Sequence, residues 1–236
     1  MLVLVSLTVF PGCGRDPATR IVELRNSASM ATPSFREQVA RVAAGKTDWI
    51  HVEEERLTDE DLALLETAPN LRELLVEDST ISDNGLEHLA DLQQLQHLRL
   101  RGAALGDPGM ARLAKLSRLR FLNLPQARFS DEGLEQLQAL PALEMLRFGS
   151  PAVTDDGMRH IAAIPSLRFL HLIDVPITNA GLQPLEKLSQ LESLYLDGTR
   201  VTDEGIEHLL EALPHVHLHI DEQHYDRSGR GDTVIR

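Results

Sequence analysis

Hydrophobic residues return at one fixed interval along most of the chain. Successive segments open with leucines that are each 24 residues apart: Leu71, Leu95, Leu119, Leu143, Leu167 and Leu191. When each leucine is counted as position 1 of its unit, positions 4, 6 and 11 are also apolar in every unit. A single unit of this size cannot bury its apolar side alone, so the pattern predicts a stack of coils that share one core.

Each unit contains two predicted elements. Its first residues, such as "LRFLHL" at 167–172, alternate near their ends as a short strand does. Its later residues, such as "TDEGIEHLLEAL" at 202–213, have helical spacing, and a Ser or Thr before Asp is a favourable N-cap. The predicted caps are Thr58, Ser82, Ser130, Thr154, Thr178 and Thr202. We interpret the Asp after each cap as a charge near a helix N-terminus on a solvated surface.

The repeats resemble the leucine-rich repeat family over residues 47–220. The "T-D-x-G-L-x-x-L" half is similar to repeats of F-box adaptor proteins and of bacterial leucine-rich repeat lipoproteins. The resemblance implies an α/β solenoid, a curved horseshoe segment with parallel strands on its concave face and short helices on its convex face. The Asn usual at position 9 is absent from this chain, so other groups must satisfy the backbone donors that an asparagine ladder would bind.

A glycine recurs at position 15, inside the first turn of each predicted helix. These glycines are Gly85, Gly109, Gly133, Gly157, Gly181 and Gly205. Because Gly costs about 1 kcal/mol in a helix interior, its recurrence requires a steric reason. We predict that backbone crowding between neighbouring coils excludes a Cβ atom at this position.

The N-terminal residues carry a targeting pattern. Residues 1–12 predict a signal peptide. Their apolar run, 2–10, has the length of the apolar region of a signal peptide and is shorter than the roughly 20 residues that span a bilayer. The following "FPGC" resembles a lipobox, and it contains the only cysteine of the chain, Cys13, which we predict to be lipidated. Residues 13–31 are then a tether.

The two ends of the repeat region need capping elements that shield the core from solvent. Residues 32–46 predict an N-terminal capping helix that starts at Thr32, with Phe35, Val39 and Val42 on one face. Residues 221–236 predict a polar C-terminal tail.

Composition limits the classes of function and partner that we expect for the chain. The net charge of −13 would repel phosphate backbones, so we expect no nucleic acid partner. Apolar residues make up 42% of the chain and aromatic residues only 4%, so the core must be mostly aliphatic. The sequence contains no nucleophile elbow, P-loop or HExxH motif, and we expect neither catalysis nor a cofactor.

Residues between the buried strand positions point outward, and residues 24 apart become neighbours across the strands. The outward positions near the middle of the stack carry aromatic residues, Met and Arg, which are enriched at the centres of protein interfaces. The candidate binding residues are Arg99, Phe121, Asn123, Met145, Arg147, Phe169, His171 and Tyr195.

Three functions follow as hypotheses. The first is a non-enzymatic module that binds a protein or peptide, and that is secreted or lipid-anchored in the bacterial cell envelope. The second is a metal-binding or metal-dependent protein, because alternation places His217, His219 and Asp221 on one strand face. The third is a cytoplasmic F-box-like adaptor or effector, which would require an adaptor domain where residues 1–46 predict only one helix.

Overall fold

The computed structural model describes residues 32–221 and the backbone of residues 223–225. The predicted signal peptide, Cys13 and the tether lie outside the described residues, as does most of the predicted tail. None of the described helices has the length and apolar character needed to cross a lipid bilayer.

The strands form one sheet in which chain order and spatial order are the same. They are β1 Trp49–Val52, β2 Glu73–Val76, β3 His97–Leu100, β4 Phe121–Leu124, β5 Met145–Phe148, β6 Phe169–Ile173, β7 Ser193–Asp197, β8 His217–Ile220 and β9 Gln223–Tyr225. Strands β1 to β8 are parallel, and β9 pairs antiparallel with β8. Residues 24 apart lie side by side, as Met145 of β5 lies between Phe121 and Phe169.

Short helices connect the strands. The α-helices are α1 Phe35–Ala43, α2 Asp59–Leu62, α3 Asp107–Leu113, α4 Asp131–Gln136, α5 Met158–Ala162, α6 Asn179–Leu185 and α7 Asp203–Ala212. Turns of 3₁₀ helix cover Ala63–Thr67, Gly85–Leu89, Leu137–Ala139 and Asp155–Gly157. Helices of successive coils contact one another, so the helices stack in the same order as the strands. The result is the predicted α/β leucine-rich repeat solenoid.

One continuous core lies between the strands and the helices. The side chains at positions 1, 4 and 6 of the six full units are buried, and so are those at position 11 except Val201, which is partly buried. Most of this core is Leu, Ile and Val. Phe129 and Phe148 are two large aromatic members of this core in adjacent coils, and their ring centroids are 5.1 Å apart.

The N-terminal helix begins later than the sequence predicts. Ser34, rather than Thr32, is the N-cap: the Glu37 N–H donates to Ser34 Oγ, and the Ser34 N–H donates to the Glu37 carboxylate. This reciprocal capping box satisfies two helix-terminal donors at once, which explains the start at Phe35. Phe35, Val39 and Val42 are buried as predicted.

Helix α1 also pairs with the open edge of β1 through one side chain. The buried Gln38 Nε2 donates to the His51 carbonyl oxygen over 2.7 Å, and the His51 N–H donates to Gln38 Oε1 over 2.9 Å. The amide of Gln38 therefore supplies the donor and acceptor that a neighbouring strand would supply.

The aspartates at position 13 bind the next coil. Thr154 donates its N–H and its hydroxyl to the two carboxylate oxygens of Asp131, over 2.8 Å and 2.6 Å. The same paired bonds join Ser82 to Asp59, Ser130 to Asp107 and Thr178 to Asp155. Gly106 has no hydroxyl, so only its N–H donates to Asp83. We name this series the aspartate ladder: Asp59, Asp83, Asp107, Asp131, Asp155 and Asn179.

The ladder corrects two interpretations from the sequence. Its carboxylates are hydrogen-bonded between coils and are not simply charges on a solvated surface. The recurring glycines make room for them: a Cβ atom on Gly157 would lie 2.2 Å from Asp131 Oδ1, and one on Gly85 would lie 2.3 Å from Asp59 Oδ1. The obstacle is therefore a side-chain carboxylate, whereas the sequence led us to expect backbone crowding.

The last rung of the ladder differs in chemistry. Asn179 Oδ1 accepts from the Thr202 N–H over 2.9 Å, and Asn179 Nδ2 donates to Thr202 Oγ1 over 2.8 Å. The threonine hydroxyl thus accepts where the others donate, because an amide offers both a donor and an acceptor.

Candidate binding surface

The outward side chains of the strands form one surface, which we call the outer sheet face. It consists of the side chains at positions 3, 5 and 7 of the units. Along β5, for example, Met145 and Arg147 are partly exposed, and Leu146 and Phe148 are buried. The alternation follows from the pleat of the strand, which sends successive side chains to opposite sides.

Three apolar side chains lie side by side on this face. Phe121, Met145 and Phe169 are in register on β4, β5 and β6, and each is partly exposed. We call them the apolar strip. The guanidinium of Arg120 lies 5.2 Å from the ring centroid of Phe121, and that of Arg168 lies 5.5 Å from the ring centroid of Phe169.

Each of these two arginines pairs with a glutamate of the next coil. Arg120 donates from Nε and Nη2 to the two carboxylate oxygens of Glu144, over 2.9 Å and 2.7 Å. Arg168 donates from Nε and Nη2 to one carboxylate oxygen of Glu192, Oε1. These ion pairs hold each guanidinium over the neighbouring ring, and both rings remain partly exposed to solvent.

A polar row runs beside the apolar strip at position 5. Arg99, Asn123 and Arg147 are in register on β3, β4 and β5, and we call them the arginine row. Arg99 Nη2 is 2.9 Å from Glu77 Oε2. Arg147 Nε donates to His171 Nδ1 over 3.1 Å, and no carboxylate within the described residues forms an ion pair with Arg147.

The arginine row is incompletely satisfied. Asn123 is only 7% exposed, and its Oδ1 atom is buried without a hydrogen-bond partner among the described residues, as is Arg99 Nε. Burial lowers the pKa of Arg147, and repulsion from Arg99 lowers it further. Arg147 nevertheless stays charged at neutral pH, because the ordinary pKa of arginine lies far above that pH. The arginine row therefore places a partly buried cation, Arg147, next to a buried polar atom, Asn123 Oδ1, whose hydrogen bonding is not satisfied by the described residues.

His171 links the arginine row to an acidic neighbour. Its Nδ1 accepts from Arg147, so the ring proton is on Nε2, which lies 2.6 Å from Asp197 Oδ2. Burial lowers the pKa of His171, the Asp197 carboxylate opposes that shift, and the Arg147 charge adds to it. The geometry and the direction of the shift both correspond to a neutral imidazole.

Aromatic rings continue from His171 toward the C-terminal end of the sheet. The ring centroids of His171 and Tyr195 are 5.0 Å apart, and those of Tyr195 and His219 are 4.4 Å apart and nearly parallel. The sequence-predicted binding residues therefore occupy one continuous part of the outer sheet face, on strands β3 to β7.

The three candidate metal ligands do not form a metal site. Asp221 has a φ of 47°, and its Oδ1 accepts from the Gly198 N–H over 2.8 Å. His217 is exposed, and the His219 ring stacks on Tyr195. Within residues 32–221, no group of three or more His, Cys, Asp or Glu side chains is arranged to hold a metal ion.

Sequence reasoning missed a cluster at the N-terminal end of the same face. Glu73 accepts from the His51 and His97 rings, with a distance of 2.9 Å to His97 Nδ1. Burial raises the pKa of Glu73, but the hydrogen bonds and charges of the two histidines lower it more, to about 2. The sequence signal for this cluster pairs different positions of successive units, because His51 is at position 5 of one coil and Glu73 is at position 3 of the next.

Comparisons with known proteins agree with this architecture. A family model described as Leucine Rich repeat matches residues 92–114. A search of curated protein sequences gives no match. Among solved structures, internalin C2 of Listeria monocytogenes has 20% identity and a TM-score of 0.57, and the match covers 82% of this chain and all of that one. This likeness concerns the fold.

A plant peptide hormone receptor, RGFR1 in complex with RGF2, has 16% identity and a TM-score of 0.49. That match covers 75% of this chain and 28% of the receptor chain. The repeated sequence, the family match over residues 92–114 and the fold shared with internalin C2 together support a leucine-rich repeat architecture for this chain.

Proposed function

We propose that the protein is a non-enzymatic interaction module that binds a protein or peptide through its outer sheet face. The observation that carries the proposal is the apolar strip beside Arg147, a partly buried cation with no carboxylate partner in the described part of the chain. Aromatic residues, Met and Arg dominate the binding energy of many interfaces, and contiguous exposed apolar groups favour contact with a partner.

The His171–Asp197 pair supports binding in preference to catalysis. A catalytic histidine needs one nitrogen for an orienting carboxylate and the other for a nucleophile or water. In this pair Asp197 occupies Nε2 and Arg147 Nε occupies Nδ1. The imidazole therefore has no free nitrogen with which to accept a proton from a substrate.

Affinity capture with variants of the outer sheet face tests this function. Wild-type protein is expected to recover a specific set of proteins, and a double variant, Arg147→Glu with Phe169→Asp, is expected to lose it. Arg159→Glu is the matched control, because Arg159 is exposed on α5 and pairs only with Asp156 among the described residues. Circular dichroism must show that all three proteins are folded. Recovery of the same proteins by wild type and the double variant would refute the proposal.

We also propose that Cys13 is lipidated and anchors the protein outside the bacterial cytoplasmic membrane. The support is the apolar run 2–10 followed by "FPGC", with the only cysteine of the sequence at the position that a lipobox requires. Labelled palmitate should enter wild-type protein in bacterial cells and should not enter Cys13→Ser. Equal labelling of the two, or no labelling of either, contradicts the anchor, and recovery from the cytosol would favour the adaptor hypothesis.

A further inference from the structure

The arginine row has more hydrogen-bond donors than acceptors. Each guanidinium carries five N–H donors and no acceptor. Arg99 has one close carboxylate contact, to Glu77, and Arg147 donates to the neutral His171 ring. Arg99 Nε and Asn123 Oδ1 are both buried without a partner in the described part of the chain, so the row does not satisfy its own hydrogen-bonding groups.

The arginine row gathers positive charge on a chain whose net charge is negative. The chain carries a net charge of −13, and Glu77 and Asp197 lie on either side of the arginine row along the sheet. Arg147 experiences repulsion from Arg99 and Arg101, which attraction to Asp197 and Glu77 opposes. An acidic group placed at the row would relieve that repulsion, whereas acidic groups elsewhere on the face would be repelled.

The spacing between the arginine row and the apolar strip matches an extended peptide. Met145 and Arg147 are two residues apart on β5, so their side chains leave the sheet roughly 7 Å apart. The side chains of residues i and i+2 in an extended ligand have the same separation. An apolar side chain and a carboxylate two residues apart can therefore contact the strip and the row together.

The place of Arg147 in the sheet determines the source of the carboxylate. β5 is an inner strand with four strands on either side, at about 4.8 Å for each step. An extended segment that lies along β5 and contacts both Met145 and Arg147 continues past both ends of this four-residue strand. A carboxylate at the middle of such a segment belongs to an Asp or Glu side chain rather than to a chain terminus.

We infer that the arginine row recognises one Asp or Glu side chain of an extended partner segment, with an apolar residue two positions away bound to the apolar strip. The inference rests on the proposed function and names the chemistry of the partner. Arg147 is the main contact. Arg99 provides the second positive charge on the far side of Asn123.

A displayed library of random nonapeptides, embedded between flanking sequences, tests the inference. Selection on the full-length wild-type protein is expected to enrich Asp or Glu with an apolar residue two positions away. Replacing that acid by Asn or Gln in the best peptide should weaken binding by about 10-fold to 100-fold, since a charge-assisted bond is lost. Arg147→Gln should weaken binding of the acidic peptide by a similar factor, and it should change binding of the neutral peptide little. Arg147→Glu should shift selection toward Lys or Arg.

Arg159→Gln is the matched control and should leave binding unchanged, because this exposed arginine lies on α5. One contrary outcome is a set of enriched peptides that lose binding to Phe169→Asp and yet show no preference for an acidic residue. That result would overturn the inference and leave the proposed function standing. Dependence on a free C-terminal carboxylate would overturn the choice of an internal side chain. Enrichment of nothing by wild type, or equal binding by wild type and Phe169→Asp, would refute both proposals.

Discussion

At the scale of single residues, the aspartate at position 13 and the glycine at position 15 form one device. Asp131 holds Thr154 of the next coil through two hydrogen bonds, and Gly157 of that coil leaves room for the carboxylate. Each residue looks like a local helix signal when it is read alone. Their common purpose is visible only when two coils are placed together.

The device predicts coupling between Gly157 and Asp131. Gly157→Ala should lower the free energy of unfolding by about 1 to 3 kcal/mol, because the new Cβ displaces the hydrogen-bonded carboxylate. Alanine would otherwise favour the helix by about 1 kcal/mol. In an Asp131→Ala background the cost of Gly157→Ala should fall sharply. Urea denaturation of the two single variants and the double variant measures this coupling.

Asp156→Ala is the control for that cycle, since Asp156 is exposed and forms a surface ion pair with Arg159. It should change stability little and should not alter the cost of Gly157→Ala. An equal cost of Gly157→Ala in both backgrounds would show that the carboxylate is not the obstacle. The 3.0 Å approach of Leu134 Cδ1 would then be the main contact.

Glu73 predicts a dependence of stability on acid. Its pKa falls from an ordinary 4.5 to about 2 in the folded protein, so its contribution is complete above pH 4.5 and is lost between pH 4.5 and 2. The difference in unfolding free energy between wild type and Glu73→Gln should shrink by at most about 3 kcal/mol over that range. Urea denaturation at pH 7, 4 and 3 measures it. The control is Glu135→Gln, at an exposed residue of α4, and a difference that stays constant with pH would contradict the prediction.

At the scale of elements, the sheet needs a cover for its first edge. Strand β1 has no strand before it in the described structure, and Gln38 of α1 pairs with the backbone of His51 instead. Helix α1 thus contributes both apolar burial and hydrogen bonds. The periodicity of the sequence identifies the apolar face of this helix but does not distinguish Gln38 from a surface residue.

Gln38→Met should destabilise the protein by about 2 to 4 kcal/mol, because it retains the shape of the side chain and leaves a buried N–H and C=O unpaired. The His51 amide should also exchange its hydrogen faster. Gln136→Met is the matched control, since Gln136 is exposed on α4. Equal effects of the two substitutions would show that the edge contact contributes nothing.

At the scale of the whole molecule, stability is shared between neighbouring coils. Leu146 and Leu218 are both fully buried at position 4, but Leu146 lies in the middle of the stack and Leu218 lies on β8, near its end. Leu146→Ala should cost about 2 to 5 kcal/mol and should accelerate amide exchange in most strands. Leu218→Ala should accelerate exchange mainly in β7 and β8.

Hydrogen exchange on the two variants measures this difference, and the chemical change is the same in both. Similar exchange throughout the sheet in the two variants would mean that the described stack unfolds as a single unit. Exchange confined to one coil in Leu146→Ala would mean that neighbouring coils are hardly coupled.

The sequence by itself determined the period and, through it, which residues become neighbours across the sheet. A parallel in-register sheet places residues 24 apart side by side, so the apolar strip and the arginine row can be read directly as columns. The aliphatic core follows from the same columns, because a coil must bury the positions that are apolar in every unit.

Tertiary structure decided the contacts that do not follow the period. Asp131 and Thr154 are 23 residues apart, His51 and Glu73 are 22 apart, and His171 and Asp197 are 26 apart. Such contacts depend on the path of each coil and on the rotamers that its neighbours allow. The spacing of residues along the sequence determines neither of these. For the same reason, the lack of a carboxylate partner for Arg147 among the described residues became visible only in the folded structure.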